Sequence, residues 1–280
     1  MKIIDVVNKI KKYHKGININ GVVIDENTTR DKILYGDANV ECTGIVTSCW
    51  ASMDVIKKAH ELGANLIITH EALFWNRGDK IDWLIEETNK TFLKKQKLLD
   101  ETGIVVWRDH DYMHSGIPYG DGYIDGIYYG FTKVLGWEEY LTDKVRAKSW
   151  IIPETPIKDI VEHMKGKFNL KTIRIIGNPD AMISKIKVVG HIKEGGDRSI
   201  ITDVENEGIN LAITLELIDF TLSEYIRDAG MQGQDKAIVS LGHFNCEEPG
   251  MQYMIEWIPN AIESDIPCHY VKSGDMYSYM

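Results

Sequence analysis

Apolar residues along the chain switch between helical spacing and short unbroken runs, and this alternation predicts an α/β fold. Ile3 to about Tyr13 has the spacing of an opening helix, followed by short, turn-rich strands through Gly44-Ile-Val-Thr-Ser. Ser52 is placed to cap a helix with Val55, Ile56, Ala59 and Leu62 on one face, ending at Gly63. Asn65-Leu-Ile-Ile-Thr predicts a strand that delivers His70 and Glu71 past its C-terminal end. Residues 80–101 predict one long amphipathic helix, broken by Gly103 before the strand Ile104-Val-Val-Trp. Asp125 to Leu135 predicts a helix closed by Gly136.

From about Trp150 the pattern changes. Thr155 as N-cap and Pro156 in the first turn predict a helix with Ile160, Val161, Met164 and Phe168 on one face. Strands are expected at Ile173 to Ile176, Lys185 to Ile192, Asn210-Leu-Ala-Ile-Thr and Ala237-Ile-Val-Ser-Leu. Gly195-Gly196 opens a helix or loop, Leu222 to Ala229 forms a helix ending at Gly230, and Pro249 starts a last helix. No internal repeat is evident. The expected organisation is an N-terminal α/β lobe (1–145), a second α/β lobe (146–235) and a C-terminal segment (236–280) that returns to the first lobe.

Composition narrows the function. A formal charge of −10 opposes nucleic-acid binding, which rests on clustered Lys and Arg. Lys94-Lys95-Gln96-Lys97 is read as a solvated helix face. No stretch reaches the ~20 apolar residues of a membrane span, and the N-terminus lacks the apolar block of a signal peptide. Cys42, Cys49, Cys246 and Cys268 form no CxxC pair and are expected to be reduced, mostly buried thiols of a cytoplasmic protein.

Ligands in open α/β sheets sit outside the carboxyl ends of strands. Three expected strands end in groups able to bind metal: His70-Glu71, the Asp109, His110, Asp111 and His114 cluster, and His243 with Glu247. His243 and Glu247 share one face if their turn is helical. Imidazole nitrogen and carboxylate oxygen together suit Zn, Mn, Fe or Co. His14, His60, His163, His191 and His269 are expected to be ordinary core histidines.

Three motifs carry a family resemblance. Gly63-Ala-Asn-Leu-Ile-Ile-Thr-His-Glu-Ala-Leu-Phe-Trp, Val105-Val-Trp-Arg-Asp-His-Asp-Tyr-Met-His and Leu241-Gly-His-Phe-Asn-Cys-Glu are similar, in this order, to motifs of the NIF-three-like proteins. These are also called GTP cyclohydrolase I type 2-like, and Ile213-Thr-Leu-Glu216 takes the place of their Thr-Gly-Asp strand end. The resemblance implies two α/β lobes with a two-metal site in the cleft between them, and a toroidal hexamer. It implies that His70, Glu71, His114, His243 and Glu247 hold two divalent ions, Glu247 bridging. Where the family has paired histidines this chain has His70-Glu71, and where it has an aspartate this chain has His114. The two exchanges leave the ligand count at three histidines and two carboxylates.

These expectations converge on a metal-dependent hydrolase that uses metal-activated water on a small heterocyclic, cyclic-amide or nucleotide substrate. His110 or Glu216 would move protons. Trp75, Trp107 and Tyr112 are either core residues or a stacking wall for a planar substrate. The alternative is a non-catalytic metal-binding protein that regulates or interacts.

Overall fold

Apolar runs of about four residues make the centre of each sheet, because a strand covered on both faces needs apolar side chains on both. Ile45–Ser48, Leu66–Thr69, Val105–Arg108, Leu211–Thr214 and Ala237–Ser240 are buried throughout. The computed structural model describes residues 1–76, 78–192, 197–278 and 280, so the expected start of an element at Gly195-Gly196 lies outside the described residues. The chain divides into two units, Met1–Gly130 with Glu248–Ser273, and Phe131–Glu247 with Gly274–Met280.

In chain order, the first unit contributes strands β1 (Ile33–Tyr35), β2 (Ile45–Ser48), β3 (Leu66–Thr69) and β4 (Val105–Arg108), and the hairpin β5 (Ile117–Tyr119) and β6 (Gly122–Ile124). The second contributes β7 (Ser149–Pro156), β8 (Arg174–Gly177), β9 (Met182–Gly190), β10 (Leu211–Thr214) and β11 (Ala237–Ser240). The chain then returns for β12 (Cys268–Tyr270) in the first unit. The first sheet has the order β1-β4-β3-β2-β12, with all pairs parallel except the antiparallel edge β1. The second has the order β7-β9-β10-β11-β8, parallel at its centre and antiparallel at both edges.

Helices α1 (Ile3–Tyr13), α2 (Met53–Glu61), α3 (Asp82–Glu86), α4 (Lys90–Thr102), α5 (Asp111–Ser115) and α6 (Gly126–Leu135) precede α7 (Ile157–Phe168), α8 (Asp197–Asn206), α9 (Leu222–Met231) and α10 (His243–Ile262). Val46, Ile56, Ile67, Phe92, Leu99 and Val106 form the core between α2, α4 and the first sheet. Val204, Ile209, Ala212, Leu222, Ile226 and Ile238 do the same in the second unit. Burying each such side chain stabilises by about 1.5–3 kcal/mol.

Several expected boundaries move. The long helix over 80–101 is two helices, because the Asn89 side chain accepts the amides of Thr91 and Phe92 at 3.1 and 3.0 Å and starts a new helix. Thr155 and Pro156 belong to β7, paired with Ile183 and Met182; ladder pairing overrides the capping signal, and α7 begins at Ile157. Pro249 lies inside α10, which starts at His243. Gly230 lies inside α9, where it lets the helix approach Gly177 closely. No described helix is long and apolar enough to cross a membrane. All four cysteines are free thiols, but only Cys49 and Cys246 are buried; Cys42 and Cys268 are half-buried.

Candidate metal-binding site

The register of β3 and β4 builds the first group. Thr69 pairs with Arg108, so the residues that follow the two strands emerge side by side. The Asp109 amide donates to the Thr69 carbonyl at 2.9 Å. His70 in turn lies 3.1 Å through Nδ1 from the Asp109 carbonyl. A carbonyl only accepts, so Nδ1 carries the proton and Nε2 keeps its lone pair, the form in which a histidine can bind metal.

Helix α5 follows β4 at once and puts His114 one turn beyond His110, its amide donating to the His110 carbonyl at 3.0 Å. Buried Asp31 fixes this start: it accepts the amides of His110, Asp111 and Tyr112 at 2.8, 3.0 and 2.7 Å. Burial and the nearby Asp109 charge push the Asp31 carboxyl upward. Arg30 and Thr29 bind the Asp111 carboxylate, so the loop before β1 clamps α5 from outside.

His70, His110 and His114 thereby converge, with donor atoms within 4.8 Å of one another. Their ring centres lie 4.3, 5.0 and 4.8 Å apart. Each Nδ1 faces an oxygen: the Asp109 carbonyl for His70, Asp111 at 3.2 Å for His110 and Asp125 at 2.9 Å for His114. Oxygen partners of this kind orient histidine ligands toward a metal through the other nitrogen. Burial, then the charge of His70, pushes His110 down to about 3, which keeps its imidazole neutral, the metal-binding form.

The second unit repeats the logic. Thr214 of β10 pairs with Gly190 of β9 on one side and Ser240 of β11 on the other. His191, Glu216 and His243 follow the carboxyl ends of these three parallel strands, with donor atoms within 4.8 Å of one another. The Glu216 carboxylate meets Nδ1 of His191 through one oxygen and Nδ1 of His243 through the other. Burial would raise Glu216, but these two bonds outweigh it and hold the carboxyl at about 2. Buried Glu247 lies one helical turn beyond His243 and contacts its Nε2 at 2.9 Å.

Of the residues expected at the site, the structure thus joins His70, His114 and His110 in one unit, and His243, Glu247 and Glu216 in the other. Glu71 is half-buried, its amide donating to the Cys49 carbonyl at 2.9 Å beside His70. Trp107 is fully buried in β4 and packs the core, so it offers no stacking face. Tyr112 is nearly buried, its hydroxyl bonded to Glu26 at 2.6 Å, while Trp75 is 45% exposed.

Four of the five remaining histidines correct a reading made from sequence. His14 is buried and bonded to Asp109 at 3.0 Å, as a core histidine should be. His60, His163 and His191 are exposed and His269 is half-buried. His191 was missed although it directly follows a strand, the signal that identified His70. Asp31 and Asp125 carry no local signal, because each meets the histidine segment only through the fold.

The donor set of imidazole nitrogens and carboxylate oxygens in both units fits a divalent transition ion. Comparison with known proteins agrees with this fold. A protein of Clostridium perfringens called GTP cyclohydrolase 1 type 2 homolog is 24% identical over 273 residues, covering 95% of this chain and 94% of its own. Its namesake in Clostridium acetobutylicum is 22% identical over 244 residues, 82% of this chain and 81% of its own. A solved Bacillus cereus protein related to NIF3 superposes with a TM-score of 0.71 at 12% identity, covering 100% of this chain and 99% of its own. Reduced HcgD from Methanocaldococcus jannaschii gives 0.61 at 18%, covering 96% and 97%. The Duf34/NIF3 (NGG1p interacting factor 3) family profile matches residues 3–105 and 121–274, and the chain belongs to that family.

Proposed function

We propose that this chain is a metal-dependent hydrolase acting on a small heterocyclic, cyclic-amide or nucleotide substrate. The observation that carries the reading is the His70, His110 and His114 group, in which every Nδ1 faces an oxygen. A surplus of three adjacent imidazoles serves no evident packing purpose, and their protonated forms would repel one another. The residues we place around two divalent ions are His70, Glu71, His114, His243 and Glu247. Ions bound there would supply Lewis acidity, lowering the pKa of water toward about 7 and clamping reacting oxygens.

The protein's own groups do the rest. Asp31 holds the α5 turn in place, Asp125 and the Asp109 carbonyl orient His114 and His70, and His110 or Glu216 would move protons. Exposed Trp75 offers an aromatic face to a planar ring. The name shared by the Clostridium relatives puts a nucleotide and hydrolytic ring opening first among the reactions to try.

The test is turnover of a panel of nucleotides and cyclic amides by the metal-loaded chain and by His114→Ala. Hydrolysis should require added metal and fall at least about 100-fold in the variant. A metal-loaded chain that turns over nothing in the panel would sink the hydrolase. It would favour a metal-binding protein that acts by interaction, interaction being what the family's description names.

A further inference from the structure

One peptide group receives the backbone of two expected ligands. The Cys49 carbonyl accepts the amides of His70 and Glu71 at 3.1 and 2.9 Å, and the Thr69 hydroxyl at 3.1 Å. That carbonyl shares a rigid plane with the Trp50 amide, and in a trans peptide the two point in opposite directions. The Trp50 amide donates to the Ser273 hydroxyl at 2.9 Å. Ser273 thus holds one side of the plane whose other side receives His70 and Glu71, and turning the plane would carry both residues with it.

The register of β12 brings Ser273 there. β12 runs parallel to β2 with Tyr270 opposite Thr47, and the Val271 amide donates to the Thr47 carbonyl at 3.0 Å. The chain therefore arrives beside the carboxyl end of β2, 223 residues along from Trp50. Ser273 Oγ also lies 3.0 Å from Ser48 Oγ and 3.3 Å from the Trp50 carbonyl, so it touches both residues that flank Cys49. Ser273 is itself held. Its amide donates to one oxygen of the Glu248 carboxylate, whose other oxygen accepts the Tyr270 hydroxyl at 3.2 Å. Glu248 is 2% exposed, and hydrogen bonds to a carboxylate strengthen where water is excluded. We infer that Ser273, held by Glu248, is a positioning residue for the metal site: through the Cys49–Trp50 peptide it sets where His70 and Glu71 stand. The inference rests on reading those two residues as metal ligands, and it adds the carboxyl end of β12 to the groups that aim them. A ligand set works when held within about 0.5 Å of its geometry, and a tie to the backbone acts on both ligands at once.

The test compares Zn2+ affinity of the metal-stripped full chain with that of Ser273→Ala, Ser273→Val and Ser273→Thr, by competition with a chromophoric chelator near pH 7. Threonine keeps the hydroxyl, and valine has the shape of threonine without it. Affinity should fall about tenfold in Ser273→Ala and Ser273→Val, the lower end of the cost of removing an outer partner of a metal ligand, and recover in Ser273→Thr. Circular dichroism and urea midpoints establish that each chain is folded when its affinity is read. A purely structural role would lower the midpoints of Ser273→Ala and Ser273→Val and leave the folded chains with wild-type affinity. That result would overturn the inference and leave the metal reading in place. Equal affinity in Ser273→Val and Ser273→Thr would overturn it as well, since shape and not the hydroxyl would then matter. A wild-type chain that binds no Zn2+ would instead end the metal reading itself, and the inference with it.

Discussion

Lys95 shows what burial does to a single residue. It was expected on a solvated helix face, yet it is 1% exposed, its Nζ donating to the Leu73 carbonyl at 2.7 Å and lying 4.8 Å from the Trp50 ring centre. Burial disfavours the ammonium and brings its pKa down from 10.5 to about 7. The unfolded chain therefore binds this proton more tightly than the folded one. The resulting cost to stability is complete below about pH 7 and disappears as the pH rises toward 10.5. Met keeps the stem and removes the charge. Lys95→Met should exceed the wild type in stability by on the order of 2 kcal/mol at pH 6, and the gap should narrow by pH 9.5. Urea unfolding of both chains at the two pH values measures this; a constant gap would rule the account out.

Elements meet closely where α6 and α10 cross. A Cβ on Gly250 would sit 2.4 Å from the Ile127 Cα, and one on Gly130 would sit 2.4 Å from the Pro249 carbonyl. Both clashes are with backbone, so no rotamer change relieves them. Gly250→Ala should lose about 2 kcal/mol or more, whereas Gly166→Ala on α7, whose Cβ would meet open space, should gain about 0.5–1 kcal/mol. Denaturant midpoints of the two variants give the comparison, and equal midpoints would remove the packing explanation. A second regularity at this scale recurs in each of the two sheets. Thr69 donates its hydroxyl to the Cys49 and Glu71 carbonyls, and Thr214 to the Gly190 and Glu216 carbonyls. Each unit thus ends its central strand with Thr-x-Glu tied to the neighbouring strand. This shared device is too short to stand out as a repeat in the sequence.

For the molecule as a whole, each unit gathers side chains that could hold a metal at the carboxyl ends of parallel strands. An ion that binds the native chain and not the unfolded one stabilises it by about 2.7 kcal/mol at a free concentration a hundred times Kd. Stripping metal with a chelator should lower the melting temperature by about 5–10 °C, and re-adding a divalent ion should restore it. An unchanged melting curve across depletion and reloading would count against resident ions.

What the sequence determines alone is local and periodic. Ile and Val runs specify the buried strands, Ser52 and Gly63 bracket α2, and the position of His70 at a strand end marks it as a ligand candidate. Where two local signals compete, the sequence does not rank them. Asn89 divides an amphipathic stretch, and β-pairing takes Thr155 and Pro156 from a helix start, because the deciding energy comes from a partner strand or a cap. The site follows the same division. His70, His114, His243 and Glu247 can be named from spacing and motif. Asp31, Asp125 and His191 join them only through tertiary structure: parallel register sets strand ends side by side, and a buried carboxylate reaches a histidine from a distant part of the chain. Proximity between residues far apart in sequence is a property of packing, and packing alone decides which nitrogen of each ring carries its proton.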